Sequence, residues 1–128
     1  MGTAYGCTNC KIYNNTIYGT VGPGLSIQDS PNTQVTNNII FGNGNNRIID
    51  WGGNAGSTST TNLCGDNTGM SCILTTDPQF VNAAGHDFHL QAGSPAIDAG
   101  TTVSVVTTDF AGVSRPQGSA YDIGAREY

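Results

Sequence analysis

One nine-residue phrase occurs twice, and it constrains the fold more than anything else in the chain. Residues 11–19 read KIYNNTIYG and residues 34–42 read QVTNNIIFG. Every matched position is offset by 23 residues, and the Asn pair, one Ile and the closing Gly are identical. Ile12/Val35 and Tyr18/Phe41 keep their type. A repeat of this length marks a stacked fold in which each unit covers its neighbour. β-Branched and aromatic residues on both sides of the Asn pair predict strand, bend, strand. Asn tolerates the left-handed region, so it can turn the chain within one or two positions. Stacked in register, Asn15 lies over Asn38 at the strand spacing of about 4.8 Å. Their amides can then hydrogen-bond along the stack.

Taken in order, the chain fills out a coil of three short strands and three turns. Residues 1–10 predict an incomplete first coil. Leu25-Ser26-Ile27-Gln28 alternates apolar and polar residues, which points Leu25 and Ile27 inward. Asp29-Ser30-Pro31-Asn32 is a turn by composition. In the second copy of the phrase Val35 and Ile40 point inward. A third coil is weaker: Arg47-Ile48-Ile49-Asp50 matches Leu25–Gln28, and Asn62 continues the Asn column if one residue is inserted before it.

Composition fits such a fold. Glycine is 18 of 128 residues, only 10% are charged, and no stretch has the pattern of a long amphipathic helix. The apolar residues come in short alternating runs, which argues for an all-β fold rather than disorder. The four basic residues, Lys11, Arg47, Arg115 and Arg126, are scattered in a chain of net charge −5, so a nucleic-acid partner is not expected. No apolar run is long enough to span a membrane. The first residues lack the basic-then-apolar order of a signal peptide.

The triangular coil resembles the right-handed parallel β-helix of the pectate-lyase-like superfamily. From residue 77 the period stops. The series DPQF, DFHL, GSPAIDAG, DFAGVSRP and DIGAREY is similar to the C-terminal region of bacterial choice-of-anchor Q domain proteins. The expected architecture is all-β: a short right-handed parallel β-helix of about three coils over residues 1–76, and an irregular cap over residues 77–128 of the same domain. The cap would cover the apolar side chains and open strand edges of the last coil. Within it, Ser94 and Pro95 predict a short helical turn. Asp98, Asp109, Arg115 and Asp122 are expected to tie the cap together as a buried polar network, with a calcium-binding or catalytic acid cluster as the functional alternative. The resemblance implies an extracellular or cell-surface setting.

Candidate sites are sparse. A glycoside hydrolase of this fold needs paired carboxylates, and the coils offer Asp29 and Asp50, 21 residues apart. A lyase of this fold needs a basic residue beside a uronate, often with calcium, and Lys11 and Arg47 are the candidates the coils hold. The same four residues also read as turn formers and solvated charges. Tyr18, Phe41 and Trp51, with Tyr13, could stack on the apolar faces of sugars or pack under adjoining loops. Asn15, Asn38 and Asn62 form the structural column. Cys64 and Cys72 can close a loop disulfide or stay as buried thiols. Cys7 and Cys10 form a C-x-x-C without the second tight pair that a zinc site prefers. No metal or other cofactor is expected, calcium being the one ion the resemblance allows.

These readings favour a carbohydrate-associated module that binds or scaffolds, with polysaccharide as the partner. A remnant or fragment of a polysaccharide lyase or glycoside hydrolase is the enzymatic alternative, and a surface or assembly protein that binds nothing small is the structural one. The first coil would expose Ile12 and Ile17, so a homo-oligomer through the N-terminal coil, with residues 6–18 between chains, is expected.

Overall fold

The computed structural model describes residues 2–66, 69–70, 72–73 and 75–128. Nine short strands build three parallel sheets of three strands each. β1 (Gly2–Tyr5), β4 (Pro23–Gln28) and β7 (Asn45–Asp50) form the first sheet. β2 (Lys11–Tyr13), β5 (Gln34–Thr36) and β8 (Thr58–Thr60) form the second. β3 (Thr16–Tyr18), β6 (Ile39–Phe41) and β9 (Leu63–Cys64) form the third. The chain visits the three sheets in rotation, so each circuit of three strands pairs with the next.

The repeat fixes the register. Ile12 pairs with Val35 and Ile17 with Ile40, both at the 23-residue offset. Val35 then pairs with Ser59 and Ile39 with Leu63, so the third circuit carries the one inserted residue. Leu25 pairs with Ile48, which settles the third strand of the first sheet.

The two asparagines of each phrase do different work. Asn14 and Asn37 take the left-handed conformation, with φ of 50° and 56°, and Thr61 takes it in the third circuit at 50°. They make the bend. Asn15, Asn38 and Asn62 follow the bend and form a ladder. The Asn38 Oδ1 accepts from the backbone N–H and from Nδ2 of Asn15, both at 2.9 Å. The Asn62 Oδ1 accepts in the same way from Asn38, at 2.8 and 2.9 Å. Asn38 and Asn62 have no exposed surface. The other corners follow the same rule. Thr20 N donates to Asn43 Oδ1, and Ser30 N donates to Asn54 Oδ1.

Alternation along the strands divides the apolar residues between two cores. Leu25, Val35, Ile40, Ile48 and Cys64 come from all three sheets and form one buried cluster, against which Ile12 and Ile17 pack. Ile39 and Leu63 point the other way. They join Phe80, Leu90, Ala96 and Ile123 in a second cluster between the third sheet and the C-terminal segment.

That segment is therefore not a lid on the last circuit. β10 (Phe80–Asn82) and β11 (Asp87–Leu90) pair antiparallel, with a 3-10 helix at Ala83–Gly85 between them. Residues 77–128 lie along the side of the stack. Asn14 Nδ2 in the first circuit donates to Asp122 O at 3.1 Å, and Thr16 Oγ1 accepts from Ala125 N at 3.1 Å. Asn37 O in the second circuit accepts from Gly124 N at 2.8 Å. The residues around Ser94 form a hydrogen-bonded turn instead of the expected helical one: Ser94 Oγ accepts from Ala96 N and donates to Pro78 O.

Described residues after β9 bond to the last circuit at β7 and at Asn62. Asp66 N, Met70 N and Ile73 N donate to Asn46 O, Ile48 O and Asn62 O at 2.9–3.0 Å. The Cys64–Cys72 disulfide ties these residues to β9 across a Cα–Cα distance of 5.9 Å. A second disulfide, which the spacing did not predict, joins Cys7 to Cys10 in the first circuit. Among the described residues no helix is long and apolar enough to cross a membrane.

The ladder yields a graded prediction. Asn38→Ala removes the acceptor of the Asn15 N–H and leaves the buried Thr36 O without its Asn38 donor, which should cost about 1–3 kcal/mol. Asn15 is exposed, so Asn15→Ala should cost less than half as much. Urea unfolding of both variants checks this; equal losses would show that burial does not set the ladder's strength.

Candidate binding groove

The second sheet turns its outer face toward a groove. Alternation along β2, β5 and β8 buries Val35 inward and leaves Lys11, Tyr13, Gln34, Thr36, Thr58 and Thr60 on the outside. The register stacks them in two rows, Lys11–Gln34–Thr58 and Tyr13–Thr36–Thr60. Residues 101–105 form the wall, and the groove encloses about 400 Å³.

The wall is held by a bend asparagine. Asn37 Nδ2 donates to Thr101 O at 2.7 Å, and its Oδ1 accepts from Thr101 N at 3.0 Å. Gly100 N donates to Tyr121 O at 2.7 Å. A Cβ at Gly100 would come within 2.7 Å of that carbonyl and 3.1 Å of Asn37 Oδ1, so no larger residue fits without displacing the wall. The repeat that builds the sheet thus also aims the loop beside it.

Chemically the groove is a mixed surface. It offers an ammonium, one phenol, one carboxamide and several hydroxyls, with Val103 and Val105 as an apolar lip. The Tyr13 hydroxyl donates to Gln34 Oε1, which fixes the ring across the first two strands. Among the described residues, the lining contains no Asp, Glu or His. The groove itself therefore supplies neither the carboxylate pair of a glycosidase nor an imidazole base.

Of the residues singled out from sequence, Lys11 and Tyr13 line the groove and the others fall elsewhere. Asp29 sits at a corner with φ of 46° and its N–H on Gly52 O. Asp50 accepts from Gly52 N at 2.8 Å and from Asn54 Nδ2 at 2.5 Å. The register sets Asp50 against Ile27, two residues short of Asp29, so the acids do not form a facing pair. Arg47 is on β7, a different sheet from Lys11. Asp50 also lines a second cavity of about 340 Å³ with Ser59, Gly69 and Met70.

Tyr18 and Phe41 are not an outward sugar platform. Tyr18 packs against Phe80 and Phe88 at centroid distances of 6.3 and 5.3 Å, and Phe41 packs on the same cluster. Outward from the stack here means beneath the C-terminal segment. Trp51 is exposed and lies outside the groove.

The acidic residues of the C-terminal segment are engaged in holding its own backbone. Asp98 is exposed, not buried as expected, because its side chain caps an exposed turn by accepting from Ala120 N; the buried Asp122 accepts from Asp98 N and Tyr128 N. Asp109 accepts from Ala111 N, Val113 N and Glu127 N. Arg115 pairs with Glu127 at 2.5 Å, and both side chains are almost fully buried. Its guanidinium also donates to Asp122 O and Gly124 O. Sequence reasoning missed Glu127, which is the direct partner of Arg115. Among the described residues no group of three or more His, Cys, Asp and Glu side chains is placed to hold a metal ion, calcium included.

These carboxylates titrate in opposite directions. Burial works against the charge on Asp109. The Val113, Glu127 and Ala111 N–H groups and the Arg115 guanidinium outweigh it and hold its pKa below the ordinary value. For Asp122 burial prevails and pushes the carboxyl up, with Glu127 and Asp98 adding to the effect against its N–H donors.

No family model matches this chain, and neither does any curated protein or solved structure.

Two outcomes follow from the network. Glu127→Ala leaves the Arg115 charge buried and should cost about 3–5 kcal/mol, as read by urea unfolding. Asp109→Asn should be destabilising above about pH 4, where the unfolded carboxyl is charged. Because its folded pKa is lowered, that advantage is lost as pH falls through the folded value. The gap between wild type and variant should therefore close toward pH 2. A gap that stays constant from pH 7 to pH 2 would contradict the assigned role.

Proposed function

We propose that this chain is a short right-handed parallel β-helix of about three coils that binds carbohydrate in the groove of its second sheet. The rotation of the chain through three parallel sheets supports that fold. The groove supports the binding. Its two rows of hydrogen-bonding side chains repeat at the strand spacing, beside a fixed phenol ring and an apolar lip. Sugars carry hydroxyls along their edges and an apolar face, and such a surface meets both. Binding is favoured over cleavage because the lining carries no acid–base pair. The pairing of all four cysteines suits an oxidising, extracellular setting.

The test is titration of the full chain with neutral and uronic oligosaccharides, followed by amide chemical shifts. Shifts should map to Lys11, Tyr13, Gln34, Thr60 and residues 101–105. Tyr13→Ala should weaken binding about tenfold, equivalent to about 1.4 kcal/mol, with the fold retained. Trp51→Ala should leave binding unchanged. Shifts confined to Trp51, or no shift with any glycan, would overturn the reading. Release of reducing or unsaturated ends would replace it with an enzymatic one.

A further inference from the structure

Asn43-Gly44 is the one Asn-Gly pair in the chain. In an unrestrained chain such a pair modifies itself. The Gly nitrogen gives up its proton and attacks the Asn Cγ, ammonia leaves, and a succinimide ring forms. Water then opens the ring at either carbonyl, giving aspartate or isoaspartate. Gly is the fastest successor to Asn in this reaction because it has no Cβ to hinder ring closure.

The fold holds both reacting groups. Asn43 Oδ1 accepts from Thr20 N at 3.0 Å, and its Nδ2 donates to Ile17 O at 2.9 Å. Gly44 N, the attacking atom, donates to Thr20 O at 2.7 Å. The carboxamide also packs against Gly24, where a Cβ would come within 2.9 Å of Nδ2. This packing admits no larger residue after Asn43, because a Cβ at Gly44 would meet Val21 O at 2.0 Å. The corner thus requires the most labile dipeptide and restrains it. All three restraining bonds end on residues 17–20 of the first circuit. The chain that follows them is open to solvent, with Val21 99% exposed. Thr20 Oγ1 shapes that stretch by donating to Gly22 O and Pro23 O at 3.0 and 3.2 Å.

We infer that Asn43 is a self-modification site gated by this corner. It stays an amide while the two circuits are closed and deamidates when residues 17–20 part from it. Proteins open locally as well as globally. A reaction confined to the open form runs in proportion to its population when opening and closing are fast. The conversion is one-way and weakens the corner that gates it. An aspartate keeps the acceptor for Thr20 N but loses the donor for Ile17 O, and it sets a carboxylate against that carbonyl. An isoaspartate adds a methylene to the main chain and displaces Gly44 from Thr20 O. A brief opening becomes a permanent loss.

The experiment incubates the full chain in mildly alkaline buffer, folded or unfolded in urea, and follows every Asn by peptide mapping and mass spectrometry. In urea Asn43 should convert ahead of every other Asn. In the folded chain its conversion should be at least about tenfold slower, since closed molecules do not react. Thr20→Ala removes the hydroxyl bonds to Gly22 O and Pro23 O. It should speed conversion of the folded chain at least about threefold, in step with hydrogen exchange of the Gly44 amide, and leave the rate in urea unchanged. Asn43→Asp, which makes one product directly, should unfold at lower urea than the original chain. Equal rates in the folded and unfolded chain overturn the inference, as does earlier conversion of another Asn. Faster Gly44 exchange with unchanged conversion in Thr20→Ala overturns the gating, and an Asn43→Asp chain as stable as the original overturns the one-way loss.

Discussion

A parallel stack this small depends on the Asn side chain that follows each bend. At a sharp bend the backbone N–H has no strand partner, and burying it unpaired would cost about as much as a lost hydrogen bond. The Asn38 amide oxygen takes two donors from Asn15, and its Nδ2 reaches Ile12 O and Thr36 O. One side chain thus satisfies backbone groups in two circuits. Such a site admits little else. Asp could accept but not donate, and Gln would carry the amide one methylene too far. Because the amide is fully buried, each of its partners is held in a single arrangement.

The bend residues before the ladder have a second role. Asn14 and Asn37 turn the chain and then bond to the C-terminal segment. The repeat and the irregular tail are joined at the corners of the stack, and Asn37 also sets the groove wall at Thr101. The tail keeps its own shape through carboxylates that accept backbone N–H groups and through the buried Arg115–Glu127 pair. Buried ion pairs are weak sources of net stability, and among the described residues the Arg115 Nε is buried without a hydrogen-bond partner. Here the guanidinium reaches two carbonyls as well, which fixes the path from Asp122 to Gly124.

Much of the stack was legible in the sequence because a repeat encodes its own register. The 23-residue offset placed Ile12 against Val35 and Ile17 against Ile40, and one inserted residue brought Asn62 into the column. What remained hidden has a common cause. Alternation said that Tyr18 and Phe41 face out from the stack, and they do, but nothing local says that Phe80 and Phe88 will cover them. The same holds for Glu127, whose partner is set by the path of the tail. The groove was half visible: Lys11, Tyr13, Gln34 and Thr36 sit at outward positions of the repeat, whereas the wall at residues 101–105 comes from outside it. Two adjacent asparagines also look alike in sequence. Only the handedness of the bend decides that the first turns the chain and the second enters the ladder.

The side-lying segment changes how such a stack should come apart. In a simple array each unit touches only its neighbours, so units can fray one by one from an end. Here the first circuit is bonded to residues 108 and 109 positions away, through Asn14–Asp122 and Thr16–Ala125, and the second is bonded to residues 64 positions away, through Asn37–Thr101. Loss of the segment uncovers several circuits together, and loss of a circuit releases the segment. That turns a one-dimensional chain of local equilibria into a single cooperative unit. It also raises the contact order, which slows folding relative to a plain repeat of equal length. The strand–bend–strand circuits are local and can form early. The molecule becomes one body only when its last fifty residues return to its first twenty.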